Sequence, residues 1–217
     1  MRSGFVSIIG RPNVGKSTLL NSLINAKVAI TSDKAQTTRN IIQGIYNEKD
    51  IQIVFVDTPG IHKPNHKLGI YLNKQAYYTI DDNDVLLFLV SANEAWGRGD
   101  DFVLERLKKT GKPIILVINK IDLLTKEELY LKIDDVRNKF DFEAIVPVSA
   151  LRDNNTERLI KVIKDLLNEG PAFYEKDEYT NKSVKFLIGE MVREKVFELT
   201  DEEIPHSASC VVEGFEK

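Results

Sequence analysis

A chain of 217 residues and 24.7 kDa amounts to about 1.4 typical domain lengths, one full domain and a remainder. Hydrophobic residues at 42% and charged residues at 29% exclude a disordered chain, a collagen-like repeat and a small disulfide-stapled scaffold. The one cysteine, Cys210, cannot close an internal bridge, which suits a reducing, cytoplasmic interior. The longest wholly apolar run, Val85 to Val90, is far short of the roughly 20 residues of a membrane span, and no secretory segment precedes the first strand. Net charge is −3, with residues 171–217 holding 6 basic against 11 acidic side chains. No part carries the basic surplus typical of nucleic-acid binders, so charge neither demands nor excludes an RNA partner.

Phe5 to Ile9 reads as a buried strand, and Gly10-Arg11-Pro12-Asn13-Val14-Gly15-Lys16-Ser17 follows it directly, before a helix predicted at 16–26. The pattern G-x-x-x-x-G-K-[ST] between a strand and a helix is a phosphate loop. Its glycines let backbone N–H groups turn inward, and the new helix adds the positive end of its dipole. Lys16 is expected to reach the β- and γ-phosphates, and the Ser17 hydroxyl to bind Mg²⁺. Asn40 to Asn47 and Ile51 to Val56 are joined by too few residues for a crossover helix, so they should pair antiparallel at a sheet edge.

Asp57-Thr58-Pro59-Gly60 comes next, where a carboxylate at a strand end can hold Mg²⁺ through water and a glycine can bring its N–H to a γ-phosphate. A helix over 66–79, the strand Val85 to Val90 and a helix over 100–110 lead to the strand Ile114 to Ile118, closed by Asn119-Lys120-Ile121-Asp122. A carboxylate here can accept both the ring N1–H and the exocyclic amine of guanine, a donor pair that adenine does not present. A helix at 126–140, the strand Ala144 to Val148, then Ser149-Ala150-Leu151 and a helix at 155–168 complete the alternation. The fold class is α/β, three layers around a mostly parallel six-stranded sheet.

After the stop signal Asn168-Glu169-Gly170-Pro171 the pattern changes. Domain 1–170 is followed by a polar linker, 171–182, and by 183–217, where a helix Ser183 to Leu199 and a strand-like Ala208 to Phe215 are too little to close a core. The helix stripe of Phe186, Leu187, Met191, Val192, Val196 and Leu199 is expected to await a partner, leaving the tail frayed or packed on a neighbour.

These motifs, in this order, resemble the Ras-like GTPases, in the TrmE-Era-EngA-like branch whose loop reads G-R-P-N-V-G-K-S. Ala35-Gln36-Thr37-Thr38-Arg39, Asp57 to His62, Val192-Arg193-Glu194-Lys195 and Ile204-Pro205-His206-Ser207 resemble the members that join a GTPase domain to a C-terminal KH domain. The resemblance implies a GTP-hydrolysing switch in 30S ribosomal subunit assembly that engages 16S rRNA, with 183–217 as the start of the KH domain. It implies nucleotide contacts from Gly10 to Thr18, from Asp57, Thr58, Pro59, Gly60 and Ile61, from Asn119 to Asp122, and from Ser149, Ala150 and Leu151. Gln36, Thr37, Thr38, Arg39 and Asn40 would be the first switch, with Thr38 on Mg²⁺ beside Ser17 and Asp57, and Thr37 as the alternative. No G-x-x-G loop, the RNA grip of a KH domain, follows residue 183. The family likeness also leaves open a peripheral place at the inner face of the cell membrane.

Ras positions its attacking water with a glutamine after the D-x-x-G glycine; here Ile61 stands there and cannot orient water. The expectation is slow intrinsic hydrolysis, with Lys16, Gly60 and Thr38 serving the transferring phosphoryl group. Asn13 holding a K⁺ ion against the phosphates is one reading, Asn13 as a plain turn residue the other. Asp33, Arg39 and His62 are lesser candidates for placing water. Competing classes are a P-loop kinase or ATPase, a nucleotide-gated scaffold that barely hydrolyses, and a related GTPase of tRNA modification. DNA is not an expected partner.

Overall fold

The computed structural model describes residues 1–32, 40–61, 76, 80, 82–200 and 209–214. Among these, six strands form one sheet: β1 (Arg2–Gly10), β2 (Ile42–Glu48), β3 (Ile51–Asp57), β4 (Val85–Ser91), β5 (Ile114–Asn119) and β6 (Ala144–Pro147). Their order is β2-β3-β1-β4-β5-β6, parallel throughout except for the edge strand β2, antiparallel to β3. The expected hairpin and six-stranded sheet are both present. β4 and β5 are buried at every position, which is why they read as unbroken apolar runs.

Five helices are described: α1 (Lys16–Ile24), α2 (Arg98–Lys108), α3 (Lys126–Arg137), α4 (Thr156–Leu166) and α5 (Val184–Leu199). α3 opens on a reciprocal cap, in which Glu128 N–H donates to Thr125 Oγ1 and Thr125 N–H donates to the Glu128 carboxylate. α1 has no side-chain cap; its N-cap is Gly15 at φ 93°, so its first N–H groups remain for a ligand. One apolar cluster lies on the α1 and α4 face of the sheet, around Leu19, Leu20, Phe55, Leu159 and Ile163. The other lies on the α2 and α3 face, around Phe88, Val103, Leu107, Leu116 and Val136, and also holds the helical residues Ala76 and Ile80. The expected helix 66–79 otherwise falls outside the described residues.

The linker is not a free tether. It runs beside the open edge of β2, where Ile45 N–H donates to Tyr179 O at 3.0 Å and Gly44 bridges Thr180. Gln52, fully buried, accepts from the N–H groups of Phe173 and Tyr174 and donates to Tyr174 O at 2.9 Å. Of the tail, expected to fray or to pack on a neighbour, α5 packs on its own chain. Phe197 is fully buried, and Phe186 and Leu187 pack against the α1-side cluster, while Met191, Val192 and Leu199 stay exposed. Residues 209–214 form no strand; Cys210 and Val212 lie over Gly189 of α5, where a Cβ would stand 3.2 Å from the Cys210 carbonyl oxygen. Among the described residues no helix is long and apolar enough to cross a membrane.

Candidate nucleotide site

The parallel strands β1, β3, β4 and β5 deliver their C-terminal ends to one edge of the sheet, and the sequence motifs gather there. The phosphate loop, 10–17, is held through its carbonyls, three of them by residues outside the loop and one by Lys16. Gly10 O accepts from Ile61 N–H at 3.1 Å, Arg11 O from Lys16 Nζ at 2.8 Å, Asn13 O from Lys120 Nζ at 2.7 Å, and Val14 O from Asn119 Nδ2 at 2.9 Å. With its carbonyls engaged this way and Asn13 and Gly15 at positive φ, the loop is a nest suited to an anion. Gly15 is required twice, because a Cβ there would also stand 2.3 Å from Asn119 Nδ2. On the other flank Gly60 lies against Pro12, 2.8 Å from its backbone nitrogen to where a Cβ would be.

Lys16 is buried, its ammonium also 3.2 Å from Gly10 O. Burial lowers its pKa to about 8, against the opposing pull of Asp57. Asp57 is fully buried at the end of β3, and burial raises it to about 6, with Lys16 and the Ser17 hydroxyl pulling back. Ser17 Oγ donates to Asp57 Oδ2 at 2.7 Å, and Asp57 Oδ1 is buried with no hydrogen-bond partner among the described residues. A buried carboxylate oxygen left without a donor, next to a hydroxyl lone pair, fits a hard divalent cation.

Asn119 bridges two loops, since its Oδ1 also accepts from Ala150 N–H at 3.0 Å. Asp122 sits exposed on a short 3₁₀ turn, Ile121–Leu123, and buried Ser149 donates its hydroxyl to Oδ1. The Asp122 carboxylate is therefore oriented by a fixed donor rather than by packing. Two expected contacts are placed differently. Thr58 turns its hydroxyl to Ile8 O inside the sheet, and Ala150 N–H is taken by Asn119. Leu151 is largely exposed. Ile61 keeps its N–H on the loop, but its side chain is fully buried in the α2-side cluster.

Gln36, Thr37, Thr38 and Arg39 fall outside the described residues, as do Asp33, His62 and Ile204 to Ser207. Asn40 is described and exposed. Sequence reasoning missed the outer support of the loop. Arg11 Nε donates to Asp100 Oδ1 at 2.9 Å, and its Nη2 reaches the Glu94 carboxylate. The signal available was Asp100 three residues after Gly97, a helix-start pattern with nothing to say that it faced the loop.

A phosphate loop at a strand-to-helix turn, cross-tied to an Asn-Lys-x-Asp turn on the same sheet edge, defines the class: this is a P-loop GTPase fold. The family described as 50S ribosome-binding GTPase matches residues 5–120. A crystal structure of Era in complex with MgGDPNP and nucleotides 1506–1542 of 16S ribosomal RNA is 41% identical, with a TM-score of 0.91, covering 95% of this chain and 70% of that one. A variant of Aquifex aeolicus Era bound to GDP and AlF4⁻ is likewise 41% identical with a TM-score of 0.91, covering 95% and 71%. The FeoB G-domain from Methanococcus jannaschii shares the fold alone, at 24% identity and a TM-score of 0.58, over 76% of this chain and 98% of that one. The chain belongs to the Era family of GTPases.

Proposed function

We propose that this protein is a GTP-binding and GTP-hydrolysing switch that acts in assembly of the small ribosomal subunit by engaging 16S rRNA. The observation that carries the nucleotide half is the pair of bonds from Asn119 and Lys120 to Val14 and Asn13, which couples a guanine-type turn directly to the phosphate loop. The RNA half is supported by the likeness to Era bound to a 16S rRNA fragment. Residues 183–217 are read as the opening part of a KH-type module behind the strap of 171–182.

In this reading the inward N–H groups of 13–17 and the Lys16 ammonium hold the β- and γ-phosphates. Mg²⁺, held by Ser17 and Asp57 with Thr38 or Thr37 joining in the GTP state, would neutralise phosphate charge. Asp122 accepts the two guanine donors. Gly60 offers its N–H to the γ-phosphate, and Ile61, buried, contributes nothing to placing water. Hydrolysis is correspondingly slow unless another positive charge supports the transferring group. K⁺ held by Asn13 would supply that charge, and Asn13 is exposed on the loop at φ 62°.

Four measurements test this. GTP should displace a fluorescent guanine nucleotide where ATP does not, and Asp122→Asn should weaken GTP at least about a hundredfold while improving xanthosine triphosphate. Turnover in K⁺ should exceed that in Na⁺, with the difference gone in Asn13→Ala; equal rates in the unmodified chain defeat the K⁺ reading. Co-sedimentation with isolated 30S and 50S subunits should favour 30S in the GTP state. Preference for 50S would instead support the activity named for the matched family. Single-turnover hydrolysis that stays negligible with subunits present would favour a scaffold over an enzyme.

A further inference from the structure

Arg11 occupies two roles in one residue. Its carbonyl receives the Lys16 ammonium, and its guanidinium leaves the loop for the start of α2, where Asp100 takes Nε at 2.9 Å. The Asp100 side chain is only 2% exposed and is shared, since its other oxygen accepts Gly97 N–H at 3.0 Å to open the helix. Between them stands Gly99, where an added Cβ would lie 2.6 Å from Arg11 Cδ. The space that Gly99 leaves is filled by the arginine stem.

We propose that Asp100 is a positioning residue for the phosphate loop: by fixing the Arg11 side chain it fixes the Arg11 carbonyl, and through that carbonyl the place of the Lys16 ammonium. A charge-assisted bond to a buried, doubly engaged carboxylate is a rigid anchor, whereas the exposed Glu94 partner is free to move. Anchoring matters here because a phosphate nest works only if its donors are fixed before the ligand arrives. α2 follows β4, outside the loops that carry the nucleotide motifs, so this support makes the helix start part of the nucleotide site.

The inference rests on the guanine-nucleotide reading, and its test separates the two. Affinity for fluorescent GDP and thermal stability are measured for the full chain and for Asp100→Asn, Arg11→Gln, their double variant and Gly99→Ala. Asp100→Asn keeps an oxygen for Gly97 N–H while losing the charge that holds Arg11. Each single variant is expected to lower GDP affinity about tenfold, and the Asp100→Asn, Arg11→Gln double variant no further, because both break the Arg11–Asp100 bond and the exposed Glu94 partner adds little. Gly99→Ala puts a Cβ 2.6 Å from Arg11 Cδ and should lower GDP affinity by displacing the arginine while Asp100 keeps its charge and its bond to Gly97 N–H. The affinity losses should persist at temperatures well below each variant's melting point, which a purely structural role would not produce. Unmodified chain that binds GDP alongside variants within twofold of it, or additive losses in the double variant, overturns this proposal alone. Unmodified chain that binds no guanine nucleotide overturns both.

Discussion

Glu194, on α5, accepts hydrogen bonds from both the backbone N–H of Thr31, at 2.9 Å, and its hydroxyl, at 3.2 Å, and pairs with Lys27. Thr31 is on the main chain leading from α1 toward the first switch motif, so the post-domain helix caps the entry to that segment. The carboxylate is 2% exposed in its side chain. Burial alone would raise its pKa, but Lys27 and Thr31 more than offset that and hold it below the usual range.

Replacing this acceptor should be costly. Glu194→Ala strands the part-buried N–H of Thr31 and leaves Lys27 unpaired, and is expected to lower stability by about 1–2 kcal/mol in denaturant titration. Because the folded pKa is depressed, the contribution is present above the unfolded value and fades as pH falls through the folded one. The gap between Glu194→Ala and the unmodified chain should therefore narrow in acid. A gap that widens below pH 4 would contradict the pairing.

Asp57 and Lys16 predict the opposite trade between stability and function. Asp57 is raised to about 6, so the nucleotide-free fold is strained by its charge above that pH. Asp57→Asn should stabilise the nucleotide-free protein by about 1–2 kcal/mol at pH 7 while removing the Mg²⁺ dependence of nucleotide affinity. Lys16, lowered to about 8, should take up a proton when phosphate arrives at pH 8 or above. Calorimetry in buffers of different ionisation enthalpy reads that proton; uptake that is absent at pH 8.5 would count against the assignment.

Ile61→Gln places the water-orienting side chain of Ras at its aligned position. Here it should fail, because Ile61 is fully buried among apolar neighbours. A buried amide without partners should cost about 2–4 kcal/mol of stability, and the hydrolysis rate per folded molecule should not rise. A faster folded enzyme would show that the residue can swing into the site.

Gln52 supports the strap across β2. Gln52→Ala leaves the N–H groups of Phe173 and Tyr174 without their acceptor, and is expected to cost about 2 kcal/mol and to expose 171–182 to proteolysis. Unchanged cleavage rates would mean that the bonds from Ile45 and Asn47 suffice to hold the segment.

The strands, the edge hairpin and the nucleotide motifs were legible because each is written in a short stretch. Apolar runs bounded by turn residues mark the sheet, and Gly10 to Ser17, Asp57 to Gly60 and Asn119 to Asp122 each carry their own chemistry. The docking of α5 was not legible. Phe186, Leu187, Met191, Val192, Val196 and Leu199 make a continuous apolar stripe in sequence, but the structure packs the first two, partly buried, against the α1-side cluster and leaves Met191, Val192 and Leu199 exposed. Periodicity tells which side chains share a face, not which neighbour reaches it.

By itself the sequence determined the class of chemistry: a phosphate loop, a metal-binding carboxylate at a strand end and a guanine-type turn, each a local pattern of residue types. Only the tertiary structure decided how those pieces are held. Lys120 on Asn13, Asn119 on Val14, Arg11 on Asp100 and Glu194 on Thr31 join residues from 89 to 163 positions apart. Such bonds leave no periodic trace along the chain. They depend on parallel strands bringing distant loops to one edge and, for Asp100 and Glu194, on burial that keeps the carboxylate from turning to water instead.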